Sequence, residues 1–302
     1  MAITLTQLRS FLAVIRSGSV TAAAEELVVT QPSISAAVRA LTREIGTPLL
    51  ERDGRGVTPT AAGRAFAPYA TDIIGLLDRG AAAAVEASGA AESGLRIAAV
   101  TTAAESFVPV LLKRYASRNH DVDLTLAVGN RERVLQLLLR READIAFVGR
   151  PPSGGREGRI KSQSVRPNEL VLAGAPEEPL TKKASVTAAE LNGSRWLLRE
   201  QGSGTRTANE DYIAANGLTV STLTLGSNGA IKQAVRSGLG ISFLARDSVA
   251  SELESGALAV IPLTNVPPGR PWHVMRSSVG PKTGVVTDFF DFAVAEADKP
   301  AG

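Results

Sequence analysis

Four short polar runs stand out for the chemistry their side chains can do. Thr101-Thr102, Gly129-Asn130, Gln201-Gly202-Ser203-Gly204-Thr205-Arg206 and Ser227-Asn228 each follow a strand-like apolar stretch and precede a segment with helical spacing. Open backbone N–H groups at a helix start, flanked by Ser or Thr hydroxyls, favour an anion. The same hydroxyls also fit a plain role as helix caps, and one side chain can do both. Arg206 adds charge beside one of these runs, although a surface role suits it better. A second chemistry is offered near the N-terminus by Gln31, Pro32, Ser33, Ser35, Ala36, Arg39, Arg52 and Arg55. A Gln amide can pair at two points with adenine, Pro and Ala offer apolar surface to a thymine methyl, and Arg holds phosphates.

Other chemistries find little support. The chain has no Cys, which excludes disulfides, thiolate zinc sites and thiol redox sensing. Its two His, His120 and His273, are far apart in sequence, so a His-rich metal site is not expected. His273 beside Trp272 reads as structural. Ser237-Gly-Leu-Gly240 carries two of the three glycines of a dinucleotide fingerprint, with Phe243 at the third position, and no GxxxxGK[ST] occurs. Ser203 lacks the G-x-S-x-G spacing of a hydrolase elbow. With no nucleophile–base pair or metal cluster in view, the chain is not expected to be an enzyme, and no cofactor is implied.

The elements that must position these residues follow from periodicity. Leu5, Leu8, Phe11, Leu12 and Ile15 form one helical stripe, with Thr4 and Gln7 as a capping box and Ser17-Gly18 as its end. Ser19 caps a short Ala-rich helix over residues 20–27. Thr30 caps a third, over residues 31–45, with Pro32 in its first turn. Ile34, Val38, Leu41 and Ile45 share one face of that helix, so Pro32, Ser35, Ala36, Arg39 and Arg43 share the other. Two short helices joined tightly, the second with a polar, basic outer face, describe a helix-turn-helix. Two extended segments around residues 53–56 predict a hairpin wing. From Thr60 a long Ala-rich helix is expected to about residue 87, and the small polar stretch 88–94 reads as a hinge.

The run GSVTAAAEELVVTQPSISAAVRALTREIGTPLLERDGRGVTPTAAG closely resembles the DNA-binding region of LysR-type transcription regulators over roughly forty residues. The resemblance implies a winged helix-turn-helix in which Gln31, Pro32 and Ser35 face base edges and phosphates in the major groove. It places Arg52 and Arg55 on phosphates near the minor groove. This sequence departs from many relatives in having Ala36 and Ala37 after the serine, which leaves less hydrogen-bond readout there and more weight on DNA shape. In the family the long helix pairs with its copy, implying a homodimer and, further, a homotetramer on double-stranded DNA, with RNA polymerase as a conceivable partner.

From Leu95 strands and helices alternate with short connections, which argues for an α/β fold with a mostly parallel sheet. The alternation pauses at Pro151-Pro152-Ser-Gly-Gly and resumes at ELVLAGA. REQGSGTR followed by SNGAIKQAVRSGLGISFL resembles the subset around the RuBisCO-operon and sulfur-assimilation regulators. That implies a two-lobed, periplasmic-binding-protein-like effector domain whose loops hold a small anionic metabolite at Thr101, Thr102, Ser203, Thr205, Ser227 and Asn228. The expected layout is residues 1–60 for the DNA-binding domain, 61–94 for the linker helix and hinge, and 95–302 for the effector domain. Within the last, one lobe is 95–167 with 267–302 and the other is 168–266. The alternative is a solute-binding protein on the same two-lobed fold. Export would require a signal segment, and Thr6, Gln7, Arg9 and Ser10 interrupt the apolar residues where one would lie. A cytoplasmic, membrane-free protein is therefore expected.

Overall fold

The computed structural model describes residues 2–54, 56–88, 93–152, 159–280 and 284–299. Arg55, most of the stretch read as a hinge, and Ser153-Gly154-Gly155 lie outside the described residues. Contacts divide the chain into two compact units, one of residues 1–91 with 139–141 and one of residues 92–138 with 142–302.

The first unit begins with α1 (Leu5–Ser17), α2 (Val20–Glu26) and α3 (Gln31–Ile45). Each start is fixed by a side-chain cap. Thr4 and Gln7 close a capping box, and Ser19 and Thr30 accept from Ala22 and Ser33 N–H. Gly18 and Gly46 end α1 and α3 in the left-handed conformation, with φ of 65° and 80°. Two small cores form beneath. Leu8, Phe11, Leu41 and Leu49 make one, and Ala13, Val14, Ala23, Ala24 and Ile34 the other. Alanines let α1 and α2 approach closely, while each Leu or Phe contributes ~1.5–3 kcal/mol by burial.

Strands β1 (Leu50–Asp53) and β2 (Gly56–Pro59) pair antiparallel as the expected wing. The wing is pinned to α1, because Val57 N–H donates to the Gly18 carbonyl at 2.9 Å. The long helix α4 (Ala61–Ala87) follows. At its start Gly63 lies against backbone: a Cβ there would sit 1.9 Å from the Leu49 carbonyl oxygen. Phe66 packs on Phe11, whereas Tyr69, Ile73, Leu77 and Val85 stay 46–65% exposed along the helix. No helix among the described residues is long and apolar enough to cross a membrane.

The second unit holds two sheets. The first runs β4-β3-β5-β12-β6, built from β3 (Ser93–Val100), β4 (Val122–Gly129), β5 (Ile145–Val148), β6 (Ile160–Arg166) and β12 (Trp272–Ser277). Strands β4, β3 and β5 are parallel, connected through α5 (Thr101–Ala104), α6 (Val108–Ala116) and α7 (Arg131–Leu139). The second sheet centres on β7 (Leu170–Gly174), antiparallel to β10 (Ser242–Ala245) and β11 (Ala259–Val260). Parallel strands β8 (Arg195–Leu198) and β9 (Ser221–Thr224) join it where Trp196 bridges Ile241. Helices α8 (Gly204–Ala215), α9 (Asn228–Arg236) and α10 (Ala250–Glu254) belong to this half, and α11 (Gly284–Glu296) returns to the first. Alternate residues of the second sheet serve two cores, Leu172, Trp196 and Phe243 on one face and Val171, Leu197 and Leu244 on the other.

Two features depart from expectation. Strand β6 occupies part of the expected pause; only Ile160 and Val165 of it are buried, so it lacks a visible alternation. The sheets are mixed, since β12 lies antiparallel between β5 and β6. The chain passes from one sheet to the other at residues 167–169 and returns through residues 261–271, and a strand entering from the far sheet arrives reversed.

Candidate functional site

Helix α3 presents Gln31, Pro32, Ser33, Ala36, Arg39 and Arg43 as exposed residues and Ser35 as half-buried, opposite the buried Ile34 and Leu41. The Ser33 hydroxyl is engaged with that of Thr30 at 2.8 Å, which ties it to the cap. Arg52 is exposed on β1. Cations elsewhere in this unit have partners: Arg16 pairs with Glu26, and Arg9 reaches Asp78 at 3.6 Å. Arg39, Arg43 and Arg52 make no ion pair among the described residues. Unpaired guanidinium groups on one helix face and its neighbouring wing suit a polyanion.

In the second unit a cavity of about 430 Å³ lies at the carboxyl ends of β3, β4, β5 and β8. Ligands collect there in α/β sheets because strand ends hand over to helix N-termini. Seven candidates line it: Thr101, Thr102, Gly129, Asn130, Ser203, Gly204 and Thr205. Helix α8 is aimed at it by Asn209, 1% exposed, whose amide trades hydrogen bonds with the backbone of Phe243 at 2.8 and 3.2 Å. Tyr212 wedges its ring against Trp196 and Phe243. The Ser203 hydroxyl makes no capping bond, and the first backbone bond of α8 runs from Thr207 N–H. The N–H groups of Gly204 and Thr205 therefore open at the cavity. Asn130 is different: its Oδ1 caps α7 at Arg133 N–H, 2.9 Å, and its Nδ2 donates to the Gln201 carbonyl at 3.2 Å.

Three candidates lie off the lining. Ser227 caps α9 by accepting from Ala230 N–H at 3.1 Å. Gly202, with φ of 81°, packs against Asn130 and Glu132. Asn228, 1% exposed, is a clasp behind the wall. Its Oδ1 accepts from Arg199, and its Nδ2 donates to Thr102 Oγ1 at 3.1 Å and to Glu105 at 3.0 Å. An amide suits that place because one end faces a cation and the other a carboxylate. Arg206 is not a surface group. Its side chain is 15% exposed and donates to Glu210, the Arg199 carbonyl and Thr224. His273 is structural, with Nδ1 at 2.9 Å from the Pro271 carbonyl, and burial pushes its pKa down.

Four arginines of the lining were not among the candidates: Arg131, Arg150, Arg199 and Arg270. Asp211 is the only carboxylate that lines the cavity among the described residues. Arg199 is neutralised by Glu200 at 2.7 and 2.9 Å, and Arg270 meets Asp211 at 3.3 Å. Among the described residues Arg131 donates only to the carbonyls of Arg150 and Pro151, at 3.0 and 3.2 Å. Burial, then the charges of Arg150 and Arg270, pull its pKa below the ordinary value. Arg199 follows directly on β8, and Arg131 and Arg150 lie two residues past the ends of β4 and β5. The wall therefore carries excess positive charge beside open helix N–H groups, and it can hold a small anion.

A winged helix-turn-helix and a cleft with an anion-ready wall define a ligand-responsive DNA-binding protein. Residues 5–64 match the bacterial regulatory helix-turn-helix protein, lysR family, and residues 88–298 match the LysR substrate binding domain. The chain belongs to the LysR family of transcription regulators. It is 35% identical to the HTH-type transcriptional activator CmpR of Synechocystis sp., over 97% of this chain and 95% of that one. It is also 35% identical to a RuBisCO operon transcriptional regulator of Allochromatium vinosum, over 98% and 97%. Among solved structures, the CcmR regulatory domain of Synechocystis PCC6803 in complex with 2-PG superposes with a TM-score of 0.63 at 31% identity, covering 68% of this chain and 97% of that one.

Proposed function

We propose that α3 and the wing read a promoter through Gln31, Pro32, Ser35, Ala36, Arg39, Arg52 and Arg55, and that a small anionic metabolite in the cavity modulates that binding. Ser33 supports the helix start, and Thr101, Thr102, Ser203 and Thr205 contact the effector. The observation that carries the reading is one chain holding both an unpaired basic recognition helix and a cavity where, besides the Arg199–Glu200 pair, three arginines face one carboxylate. The relative in complex with 2-PG supports an anion of that kind. The working layout is a DNA-binding domain over 1–60, a linker over 61–94 and an effector domain over 95–302. The exposed apolar row on α4 supports a homodimer, doubled to a tetramer as in the family. The protein acts in the cytoplasm and is not an enzyme. An effector shifts DNA binding only as far as it prefers one lobe arrangement over another.

Fluorescence anisotropy with DNA from upstream of the gene, against a scrambled duplex across a salt series, tests this. The expected result is a preference of several kcal/mol for the native duplex and a steep fall with salt, altered by 2-phosphoglycolate. Gln31→Ala with Ser35→Ala should cost about 1–3 kcal/mol on the native duplex and little on the scrambled one. Equal losses on both would remove those residues from base readout. No binding to either duplex at low salt would overturn the reading.

A further inference from the structure

We infer that α7 is a strut that carries the state of the cavity to the linker helix, with Arg141 as the residue that plugs it into α4. This rests on the proposed effector reading and adds the route by which an occupied cavity is felt outside it.

One end of α7 breaks the chain's own habit. Helices α1, α3, α8, α9 and α10 each close on a left-handed glycine, Gly18, Gly46, Gly217, Gly238 and Gly256. Helix α7 closes instead on Arg141, with φ of 60°, where Glu142 and Ala143 N–H both donate to the Leu137 carbonyl at 2.9 and 3.1 Å. Left-handed backbone disfavours any residue with a Cβ, so an arginine there must be held by what its side chain does. That side chain is 3% exposed and donates through Nε and Nη2 to Asp72 Oδ1 on α4, at 3.3 and 3.1 Å. Gly75, one turn along the same face of α4, makes room for the stem: a Cβ there would lie 2.3, 2.8 and 2.9 Å from Arg141 Cδ, Cβ and Cγ. Glycine weakens a helix interior relative to alanine, so α4 gives up some of its own stability to receive the arginine. Residues 139–141 accordingly pack with the first unit, although the chain on either side of them belongs to the second.

The other end of α7 opens on the cavity. Asn130 and Arg131 line it. Asn130 Oδ1 caps the helix at Arg133 N–H, and its Nδ2 donates to the Gln201 carbonyl. Between the two ends α7 has nine residues, about 13 Å at 1.5 Å per residue, with Val134, Leu135, Leu137 and Leu138 buried along it. A close-packed helix this short shifts as one piece, so a ligand that moves Asn130 or Arg131 also moves Arg141. The pair of Arg141 with Asp72 resists being drawn apart, because each partner alone would be a charge out of water. The shift is therefore passed to α4, the helix that follows the wing.

Amide hydrogen exchange on the full chain tests the strut without any ligand. Asn130→Ala removes the cap and the tie at one end of α7, and peptides covering residues 69–80 of α4 report at the other. Changes at sites this far apart are independent unless something couples them. Asn130→Ala should speed exchange of those peptides about threefold. It should leave them unmoved once the plug is removed by Arg141→Gly with Asp72→Ala, which keeps the left-handed turn and leaves no carboxylate behind. Gly75→Ala is a second way to unplug the strut, since alanine strengthens α4 while it fills the slot. Adding 2-phosphoglycolate should slow exchange in the unmodified chain and in neither unplugged variant, and its effect on DNA affinity should be lost with it. An equal response to Asn130→Ala in all three backgrounds, or no response in any, would overturn the strut. DNA affinity that still responds to 2-phosphoglycolate in the unplugged variants would do the same. A response to Asn130→Ala confined to the plugged chain, with 2-phosphoglycolate changing neither exchange nor DNA affinity, would instead overturn the effector reading and leave the strut standing.

Discussion

Helix α3, proposed to read DNA, and the cavity of the second unit, proposed to hold the effector, are both positively charged, but they are built in opposite ways. The first is one continuous helix whose exposed face is Gln31, Pro32, Ala36, Arg39 and Arg43, with Ser35 half-buried beside them. Its geometry is local, fixed by the Thr30 cap and by Ile34 and Leu41 pointing inward. The second draws its wall from β3, β4, β5, β8, α8 and the return segment before β12, with lining residues spread from Val100 to Trp272. A surface made by one helix survives any change that leaves the helix docked. A cavity made by many strand ends depends on how two sheets are held together, and so can respond to a ligand.

The sharpest way to separate the two is to wedge each at its tightest backbone contact. Gly63→Ala places a Cβ 1.9 Å from the Leu49 carbonyl, and Gly269→Ala places one 2.2 Å from that of Asn168. Backbone cannot move aside as a side-chain tip can, so each should cost about 3 kcal/mol. Gly63→Ala should abolish DNA binding and leave anion binding measurable. Gly269→Ala sits where the two crossing segments meet and should do the reverse. Loss of both functions in either variant, by anisotropy and calorimetry, would mean that the units do not fold independently.

A smaller effect is expected on assembly. Ile73 and Leu77 are 47% and 46% exposed, one turn apart on α4. Partial burial of two such side chains against a partner is worth roughly 2–3 kcal/mol. Ile73→Asp with Leu77→Asp should therefore raise the dimer dissociation constant at least thirtyfold in sedimentation velocity, with the effector site intact. An unchanged sedimentation coefficient would place the dimer contact elsewhere.

Smaller still is the effect of the clasp. Asn228→Ala strips partners from Arg199, Thr102 and Glu105, at about 1–2 kcal/mol. Effector affinity should fall about tenfold, although Asn228 is not in the lining. Asn228→Asp keeps the acceptor for Arg199 but sets a carboxylate against Glu105, and Glu105→Gln in that background should restore affinity. A structural role alone would give no such rescue.

The contrast between the regions also explains what the sequence revealed. Helix α3 was legible to the residue because its cap, its first-turn Pro, its inward stripe and its closing Gly46 are consecutive signals. The polar helix starts at the cavity were legible for the same reason, since Thr101, Ser203 and Thr205 follow apolar strands. Arg131, Arg150, Arg199 and Arg270 were not, because an arginine near a strand end reads as solvated until the fold brings four together. Asn228 and Ser227 look alike in sequence, yet one is a buried clasp and the other a plain cap. The difference lies in Arg199, Thr102 and Glu105, residues 29 or more positions from Asn228. Strand direction escaped for a related reason: alternation marks a strand but carries no sign, so the antiparallel return of β12 could not be read.

The finest test concerns the turn between α2 and α3. Val28 has φ of 54° and is 89% exposed, a β-branched residue in the left-handed region with no packing in return. Such a conformation costs roughly 1–2 kcal/mol. Val28→Gly removes that strain but adds unfolded-state entropy of about 0.5–1 kcal/mol, so its net gain should be small. Val28→Asn tolerates the same φ without most of that entropy and should stabilise the DNA-binding unit by about 1 kcal/mol. The prediction is a melting temperature that rises in the order Val, Gly, Asn, with anion affinity unmoved. A Val28→Asn variant that melts lower would mean that the turn relaxes to a different conformation in solution and that α3 is set by its caps and inward face alone.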